Sequence, residues 1–317
     1  ISLSAITGGM TAAAGLTLTA PTSIETTGNL TAAGAVSLTA NSGIKLNSAI
    51  TTSSGDLTIN ANSSVLELAS GVTLSSAGAL SLSASNTTSA GALTLTSTGS
   101  TINVDNALVS QGDVTMTANS GLTLSNSTLT ATGNINLQGG SSLSLASGMS
   151  ISGGNITLGG TTIIANNGSL TLNSTGSITA SNSLSSVTTA SLTASSGIAL
   201  AGLSANGTVD LNSGTGSTTI TGAVTTSNNA LNITASDLVL TGSLNPGTSA
   251  TTLSVSNSGN LGLGFTSGFA GMNISNAELA LITGDLNLIN DSITIASGTS
   301  LNLVGKLTIG QSGGTII

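Results

Sequence analysis

The sequence predicts an all-β protein, folded as a parallel β-helix with three sides and about 21 residues in each coil. Three observations predict the three-sided fold. Apolar residues alternate with Thr, Ser or Asn over short segments, these segments recur about every seven residues, and a glycine-led motif returns once in each coil. No segment shows the i, i+3, i+4, i+7 spacing of an amphipathic helix, and the abundance of Thr, Ser, Asn and Gly opposes helix formation.

The apolar residues of one coil form three pairs, each separated by a single polar residue. Such an alternation with period two indicates a strand with one buried face. Strands of a sandwich usually vary in length and lie roughly 8–12 residues apart, so the even spacing favours a solenoid of stacked coils. The pairs of one coil are Ile135/Leu137, Leu143/Leu145 and Met149/Ile151, and the next coil begins at Ile156.

The glycine-led motif, Gly followed by alternating apolar residues, marks successive coils. The first apolar residues of seven copies follow one another at nearly constant intervals, except for one long interval between Leu80 and Val114. This long interval is interpreted as an extra strand at 93–95 that breaks the local period. The seven first residues are Leu16, Val36, Leu57, Leu80, Val114, Ile135 and Ile156.

A coil of this composition is not stable alone. Burying about six Leu, Ile or Val side chains contributes on the order of 9–18 kcal/mol. Ordering the residues of one coil costs at least that much, at roughly 1–2 kcal/mol for each residue. Stability therefore has to come from stacking on the coils above and below.

Turn residues recur between the strands. Asn41 and Asn119 occupy the same position in the motif Thr-Ala-Asn-Ser-Gly, Ser195 occupies it in Thr-Ala-Ser-Ser-Gly, and Asn62 lies in a similar motif. Asn tolerates a left-handed backbone, and its amide can hydrogen-bond to the same residue one coil away. The hypothesis is that these four residues form polar ladders along one corner.

The pattern weakens at a few places. A strand is expected to be shortened or looped out at 85–91, the alternation weakens at 212–219, and 245–247 has the sequence of a turn. The largest departure is an irregular excursion at 264–285, which holds both Phe residues and one or two helical turns capped by Ser275 or Asn276. We predict a single solenoid domain over 1–317; a boundary near 265 is the alternative.

The composition excludes several classes of function. The 317 residues include ten Asp or Glu, two Lys, no Arg, and no His, Cys, Trp or Tyr, for a net charge of −8. The usual general base, thiol nucleophile and zinc ligands are therefore absent. Phosphate recognition along a nucleic acid is excluded for lack of cations. No apolar run approaches the length of a membrane-spanning helix, so none is predicted.

The acidic residues do not indicate a catalytic pair. Asp56, Asp113 and Asp285 each follow Gly just before a strand, which is a turn role. Asp56 and Asp113 are expected to share a register about three coils apart, roughly 14 Å, beyond the reach of a paired-carboxylate mechanism. No enzyme, catalytic residue, cofactor or metal is predicted. The other acidic residues are Glu25, Glu67, Asp105, Asp210, Asp237, Glu278 and Asp291.

Calcium binding and ice binding are not favoured by the sequence. The β-helix calcium signature Gly-Gly-x-Gly-x-Asp is absent. Thr-x-Thr recurs, as at Thr17–Thr19 and Thr94–Thr96, and regular flat arrays of Thr can order water. Because the outward positions mix Thr, Ser, Asn and Asp along the chain, ordinary outward strand threonine is the better interpretation.

The elements Gly-x-Leu-x-Leu-x-Ala and Ala-Asn-Ser-Gly-Ile resemble the repeats of the filamentous haemagglutinin family, large bacterial exoproteins exported by two-partner secretion. The segment from Ile274 (Ile-Ser-Asn-Ala-Glu-Leu-Ala-Leu-Ile) and the later one from Leu307 (Leu-Thr-Ile-Gly-Gln-Ser-Gly-Gly-Thr-Ile) are similar to a segment that recurs in giant haemagglutinin-like exoproteins. The resemblance implies a right-handed β-helix and a secreted or surface-exposed rod that serves adhesion.

The predicted function is structural: the shaft of a secreted or surface-anchored bacterial adhesin, whose partner is a host, neighbouring-cell or glycan receptor. One alternative is an extracellular filament or sheath subunit that stacks head to tail. The other is a β-helix that binds or degrades polysaccharide. The ends, Ile1–Ile6 and Gly313–Ile317, carry no charged or helical cap, so we expect both to continue into more solenoid, within a longer chain or between molecules.

Overall fold

The computed structural model describes residues 9–256, 259–265, 269–299, 305–310 and 315–316. Within them, the strands pair only in parallel, and one short helix interrupts them near the end. The chain divides into two compact units, Ile1–Ile164 and Ala165–Ile317, which are treated in turn. The single domain over 1–317 stays a prediction. The N-terminal end at Ile1–Ile6, and residues 313–314 and 317 of the other end, for which a continuation of the solenoid is expected, lie outside the described residues.

The first unit is a three-sided β-solenoid, as predicted. Each strand pairs with the strand three places further along the chain, one coil away, so that β1 pairs with β4 and β7 with β10. Its strands are β1 (Met10–Ala12), β2 (Leu16–Ala20), β3 (Ile24–Thr26), β4 (Leu30–Ala32), β5 (Val36–Ala40), β6 (Ile44–Leu46), β7 (Ile50–Thr52), β8 (Leu57–Asn60), β9 (Val65–Leu68), β10 (Val72–Ser76), β11 (Leu80–Ser83), β12 (Asn86–Ser89), β13 (Leu93–Ser97), β14 (Ile102–Val104), β15 (Ala107–Ser110), β16 (Val114–Ala118), β17 (Gly121–Leu124), β18 (Thr128–Ala131), β19 (Ile135–Gly139), β20 (Ser142–Leu145), β21 (Met149–Gly153), β22 (Ile156–Gly159) and β23 (Thr162–Ser174), whose first residues belong to this unit.

These strands form three faces. Face 1 consists of β1, β4, β7, β10, β13, β16, β19 and β22. Face 2 consists of β2, β5, β8, β11, β14, β17, β20 and the start of β23. Face 3 consists of β3, β6, β9, β12, β15, β18 and β21.

The aliphatic side chains point inward and stack in columns, which confirms the predicted core. Leu74 pairs with Leu95, and Leu95 pairs with Met116, so that residues one coil apart are direct neighbours. All three side chains have no exposed surface, whereas the Thr or Ser residues directly before and after each of them on its own strand face outward. Each repeat of the sequence pattern therefore contributes one layer of the core.

The long interval between Leu80 and Val114 does not break the period, contrary to the prediction. Leu80 begins a strand of face 2 and pairs with Ile102, whereas Val114 begins a strand of face 1 and pairs with Leu93. The glycine-led motif moves from one corner to another at this point. The motif describes a turn followed by a strand, and the solenoid needs such a turn at every corner.

The strand expected to be shortened at 85–91 is complete: β12 pairs over its four residues with β9 and β15. Thr87 and Ser89 take the inward positions and are buried. The Asn106 side chain donates a 2.8 Å hydrogen bond to the Thr87 hydroxyl, and the Ser89 hydroxyl donates one of 2.9 Å to the Gly91 carbonyl. A search for alternating apolar residues does not detect this strand, because its inward positions hold polar side chains. These side chains can be buried because they form hydrogen bonds within the core.

The second unit repeats the parallel stacking. One row is β24, β26, β29 and β32, and a second joins the end of β25 to β28, β31, β34, β37 and β39. Its elements are β24 (Ser177–Ala180), β25 (Leu184–Ala194), β26 (Gly197–Leu200), β27 (Leu203–Ala205), β28 (Val209–Asn212), β29 (Ser217–Ile220), β30 (Val224–Thr225), β31 (Leu231–Ala235), β32 (Asp237–Leu240), β33 (Leu244–Asn245), β34 (Ala250–Val255), β35 (Asn260–Leu263), β36 (Gly271–Ile274), α1 (Asn276–Leu279), β37 (Asp285–Ile289), β38 (Ser292–Ile295), β39 (Leu307–Gly310) and β40 (Thr315–Ile316).

Two of the weak places in the pattern have a simple structural reason. In β29, Thr218 occupies an inward position, is fully buried, and donates a 3.1 Å hydrogen bond to the Ser213 hydroxyl. The predicted turn at 245–247 is confirmed: Gly247 has a φ of 69°, and its backbone N–H donates to the Asn245 side chain at 3.0 Å.

The excursion at 264–285 contains the predicted helical turn. Ser275 caps α1 by accepting a hydrogen bond from the Glu278 N–H, and the Glu278 carboxylate accepts one of 2.9 Å from the Ser275 N–H, which completes a capping box. Phe265 and Phe269 stack with ring centroids 4.7 Å apart. The Phe269 ring lies against Gly262, where an added Cβ would come within 2.8 Å of it.

The order of the strands in the sheet differs from their order in the chain in this excursion. β36 pairs in parallel with β35, which precedes it, and lies on the side of β35 opposite to β38. Two carboxylates join β36 and α1 to β32: Asp237 accepts from the Asn273 N–H at 3.1 Å, and Glu278 accepts from the Leu240 N–H at 3.0 Å. An inserted strand thus interrupts the regular order, and side chains connect it to the preceding layer.

We expect Glu278→Ala to lower the free energy of unfolding by about 1–3 kcal/mol, because it removes the capping box and leaves the Leu240 N–H without its acceptor. Urea unfolding measures the change. Glu67→Ala, at an exposed acidic residue, is the control and should stay within about 0.5 kcal/mol of the parent. An equal effect of both substitutions would contradict this role of Glu278.

Candidate functional site

The acidic residues that follow glycine have the predicted turn role. They lie at corners of the solenoid, where their carboxylates accept hydrogen bonds from the backbone. Asp113 accepts a 2.7 Å hydrogen bond from the backbone N–H of Asn134, one coil further on, and Asn134 in turn accepts one of 2.9 Å from the N–H of Asn155. Asp56 accepts from the Ala79 N–H at 2.8 Å in the same way. These side chains satisfy backbone donors that the strands leave unpaired.

Asp285 has the same role in the second unit, where it accepts a 2.8 Å hydrogen bond from the Lys306 N–H. The expected shared register of Asp56 and Asp113 is wrong. Asp56 precedes β8 on face 2, whereas Asp113 precedes β16 on face 1, so the two carboxylates lie at different corners. Both corners use the same Gly-Asp turn, and the sequence around each residue does not distinguish them.

The predicted ladder of turn residues is correct for one pair. Asn62 adopts a left-handed φ of 50°, and its side-chain amide donates a 2.7 Å hydrogen bond to the Asn41 side chain one coil below. Asn119, however, follows β16 of face 1, whereas Asn41 follows β5 of face 2, so the two occupy different corners. The prediction of one common corner is therefore wrong for Asn119. Ser195 lies in the second unit, between β25 and β26.

A charged row crosses the outer surface of face 3. Glu25 pairs in register with Lys45, and Lys45 with Glu67. The Lys45 ammonium lies 3.1 Å from the Glu25 carboxylate, and the Asn47 side chain donates a 3.0 Å hydrogen bond to the same carboxylate oxygen. The hydrogen bond from Lys45, then that from Asn47 and the charge of Lys45, lower the pKa of Glu25.

Two shallow grooves flank this row, and both include Lys45 and Glu67. The larger, of about 390 Å³, extends across the outer surface of β6, β9, β12 and β15. The smaller, of about 340 Å³, lies toward the corner before face 3. The larger groove is lined by Lys45, Asn47, Glu67, Leu68, Ala69, Thr88, Ser89, Ala90, Val109 and Gln111.

The larger groove offers hydrogen-bonding groups and alkyl surface. Asn47 and Gln111 contribute amide groups, Thr88 a hydroxyl, and Val109 an alkyl surface, while Lys45 is already paired with Glu25. The Glu67 carboxylate also lines the groove, so the lining combines polar, alkyl and charged groups. In the part of the chain that the structure describes, no three Asp or Glu side chains group together as a metal site would need.

The sequence contains a partial signal for this row. The intervals from Glu25 to Lys45 and from Lys45 to Glu67 are each close to the length of one coil. In a chain with so few charged side chains, that spacing indicates that the three residues are close, and the strand register places them side by side on face 3.

We expect the pair to weaken in acid. A lowered pKa in the folded protein means that the contribution of Glu25 to stability is present above its ordinary pKa and is lost as the pH falls through the lowered value. The NMR titration of the Glu25 carboxyl should therefore shift to higher pH in Lys45→Met. Lys306→Met, in the second unit, is the control and should leave the titration unchanged. An unshifted midpoint in Lys45→Met would contradict the assigned cause.

The chain matches no protein-family model, no curated protein and no solved structure. Its fold is therefore established from the strand register alone, and its resemblance to haemagglutinin-like exoproteins rests on the short repeats quoted above. Among the described residues, no helix has the length and apolar character needed to span a membrane.

Proposed function

We propose that this chain is the shaft of a secreted or surface-anchored bacterial adhesin of the haemagglutinin-like exoprotein type, and that it carries out no catalysis. The observation that supports the proposal is the continuous parallel pairing of strands on three faces of the first unit, from β1 to β22 on face 1 alone. Each coil buries a layer of mainly aliphatic side chains, so coils can be added without a new kind of core.

This architecture suits a mechanical role. Backbone hydrogen bonds run between coils on all three faces, so that separating two coils breaks many of them at once. The outer surface is polar but has few charges, which disfavours strong electrostatic binding along its length. A shaft of this kind displays or spaces a binding element outside the bacterial cell.

Surface labelling tests the proposal. Antibodies against this chain should stain intact bacteria that express the complete gene, and deletion of the gene should reduce attachment to host or neighbouring cells. Removal of complete coils should leave the protein exported and folded, because the remaining coils still stack in register. Staining only after lysis would contradict the proposal, and electron micrographs of end-to-end filaments formed by the purified protein would favour a filament subunit instead.

A second candidate function, polysaccharide binding, is favoured by the larger groove on face 3. Its amide and hydroxyl groups are suited to the hydroxyl groups of a neutral glycan chain. Titration of the protein with neutral polysaccharides tests this function, and Ala90→Lys should abolish binding by filling the groove. Unchanged binding by that variant would place the ligand elsewhere, and release of shorter chains would indicate degradation rather than binding.

A further inference from the structure

Face 1 of the first unit presents an array of threonine side chains. Six successive strands, β1, β4, β7, β10, β13 and β16, offer nine outward positions, of which eight are Thr and one is Ser. The strand register aligns these residues in two parallel columns. One column is Thr11, Thr31, Thr51, Ser75, Thr96 and Thr117, and the other is Thr73, Thr94 and Thr115.

The other two faces do not share this pattern. Outward positions of face 2 include Ser37, Asn60 and Asn103, and those of face 3 include the charged row and Val109. The preference of threonine for strands applies equally to all three faces, so it does not explain an excess on one of them. The irregular mixture of outward residues that the sequence shows is therefore a property of the whole chain and not of the six strands from β1 to β16 on face 1. Both columns end at β19, where Asn136 and Gln138 take the outward positions.

The array is regular in two dimensions over β10, β13 and β16, and one of its columns continues over β7, β4 and β1. Neighbouring strands lie about 4.8 Å apart, and alternate residues of one strand about 6.6 Å apart, so the six strands span roughly 24 Å. Threonine is β-branched and has few χ1 rotamers, which restricts the positions of its hydroxyl and methyl groups. A rigid array loses little side-chain entropy when it binds a rigid surface.

The array is also uncharged and accessible. From β1 to β16, no outward residue of face 1 is Asp, Glu or Lys, and the central residues Thr94, Thr96 and Thr115 are half-exposed. Within the described part of the chain, the hydroxyls of these three residues make no hydrogen bond to another side chain or to the backbone. They are available to an external partner.

We propose that the threonine array of face 1 binds the surface of ice. Ice offers a repeating, uncharged lattice of hydrogen-bonding oxygens, to which a repeating, uncharged lattice of hydroxyls is complementary. A charged protein partner would have to bury its charges against a face that has none to pair with them, which is costly. Each hydroxyl contributes little alone, so binding depends on the number of threonines held in register. This activity goes beyond the shaft function and does not depend on it.

Uptake into slowly growing ice tests the proposal with the complete chain. The protein should be enriched in the ice fraction and should inhibit recrystallisation, whereas serum albumin at the same concentration should stay in the liquid. Thr94→Lys, at the centre of the array, should lower uptake by about tenfold or more, because the long lysine side chain keeps the ice surface away from the neighbouring threonines. The matched control is Thr58→Lys, an outward threonine of β8 on face 2, which should bind like the parent.

Two further measurements keep the test decisive. Circular dichroism should show the same strand content and melting temperature in both lysine variants, so that lost uptake is not lost folding. Thr94→Val retains the shape and removes the hydroxyl, and it should lower uptake less than lysine does. Parent protein that stays in the liquid with albumin would overturn the proposal, as would equal losses in Thr94→Lys and Thr58→Lys. Adsorption to crystalline cellulose or chitin without uptake into ice would overturn it too.

Discussion

Leu95→Ala is expected to lower the free energy of unfolding by about 2–5 kcal/mol. Leu95 has no exposed surface and lies between Leu74 and Met116 in an inward column. Removing its side chain leaves a cavity between two coils, and the coils above and below depend on this contact because none of them is stable alone. Urea unfolding followed by circular dichroism measures the loss.

The control for this prediction is Thr96→Ala on the same strand. Thr96 faces outward, so its replacement should change the free energy of unfolding by no more than about 0.5 kcal/mol. If the two substitutions had similar effects, the inward and outward assignments of β13 would be wrong, and with them the core of the first unit.

Gly133→Ala is expected to destabilise the protein by about 3 kcal/mol, although it adds a single methyl group. A Cβ at this position would come within 2.7 Å of the Asp113 backbone nitrogen and 2.8 Å of the Gly112 carbonyl carbon, and it would overlap the Asp113 carboxylate. The corner would have to move away from the coil below, breaking the hydrogen bond between Asp113 and Asn134.

Gly310→Ala separates this overlap from the general effect of replacing glycine. Among the residues that the structure describes, the nearest atom to a Cβ at Gly310 is 3.8 Å away, and the Gly310 backbone is not left-handed, so little change is expected. Thermal unfolding of the two variants compares them directly. Equal melting temperatures for Gly133→Ala and the parent would show that the coils are not in the close contact described at this corner.

Much of the fold could be predicted from short-range patterns. The alternation at Ile135/Leu137 indicates a strand with one buried face, and the return of the pattern at Ile156 sets the length of a coil. The role of Asp113 as a turn residue and the cap of the helical turn at Ser275 are also local, because each can be recognised from neighbours in the sequence. Such features depend only on residues that are close together in the sequence.

Other features could not be predicted, since they depend on which corner a turn occupies. The similar motifs at Asn41 and Asn119 lie at different corners because every corner of a solenoid needs the same kind of turn. The strand at 86–89 escaped prediction because Thr87 is buried through its hydrogen bond to Asn106, from the next coil. The position of β36 beside β32 depends on Asp237 and Glu278, whose hydrogen-bond partners are far away in the sequence.

The sequence by itself determined the parallel solenoid, its three sides and the approximate length of its coil, because these follow from the spacing of apolar side chains along the chain. Only the tertiary structure decided which residues share a face. Individual coils differ in length, since Met10 pairs with Leu30 but Ile50 pairs with Leu74. Such differences accumulate, and only the register of the paired strands assigns each side chain to its column. The charged row on face 3 and the threonine array on face 1 both result from that register.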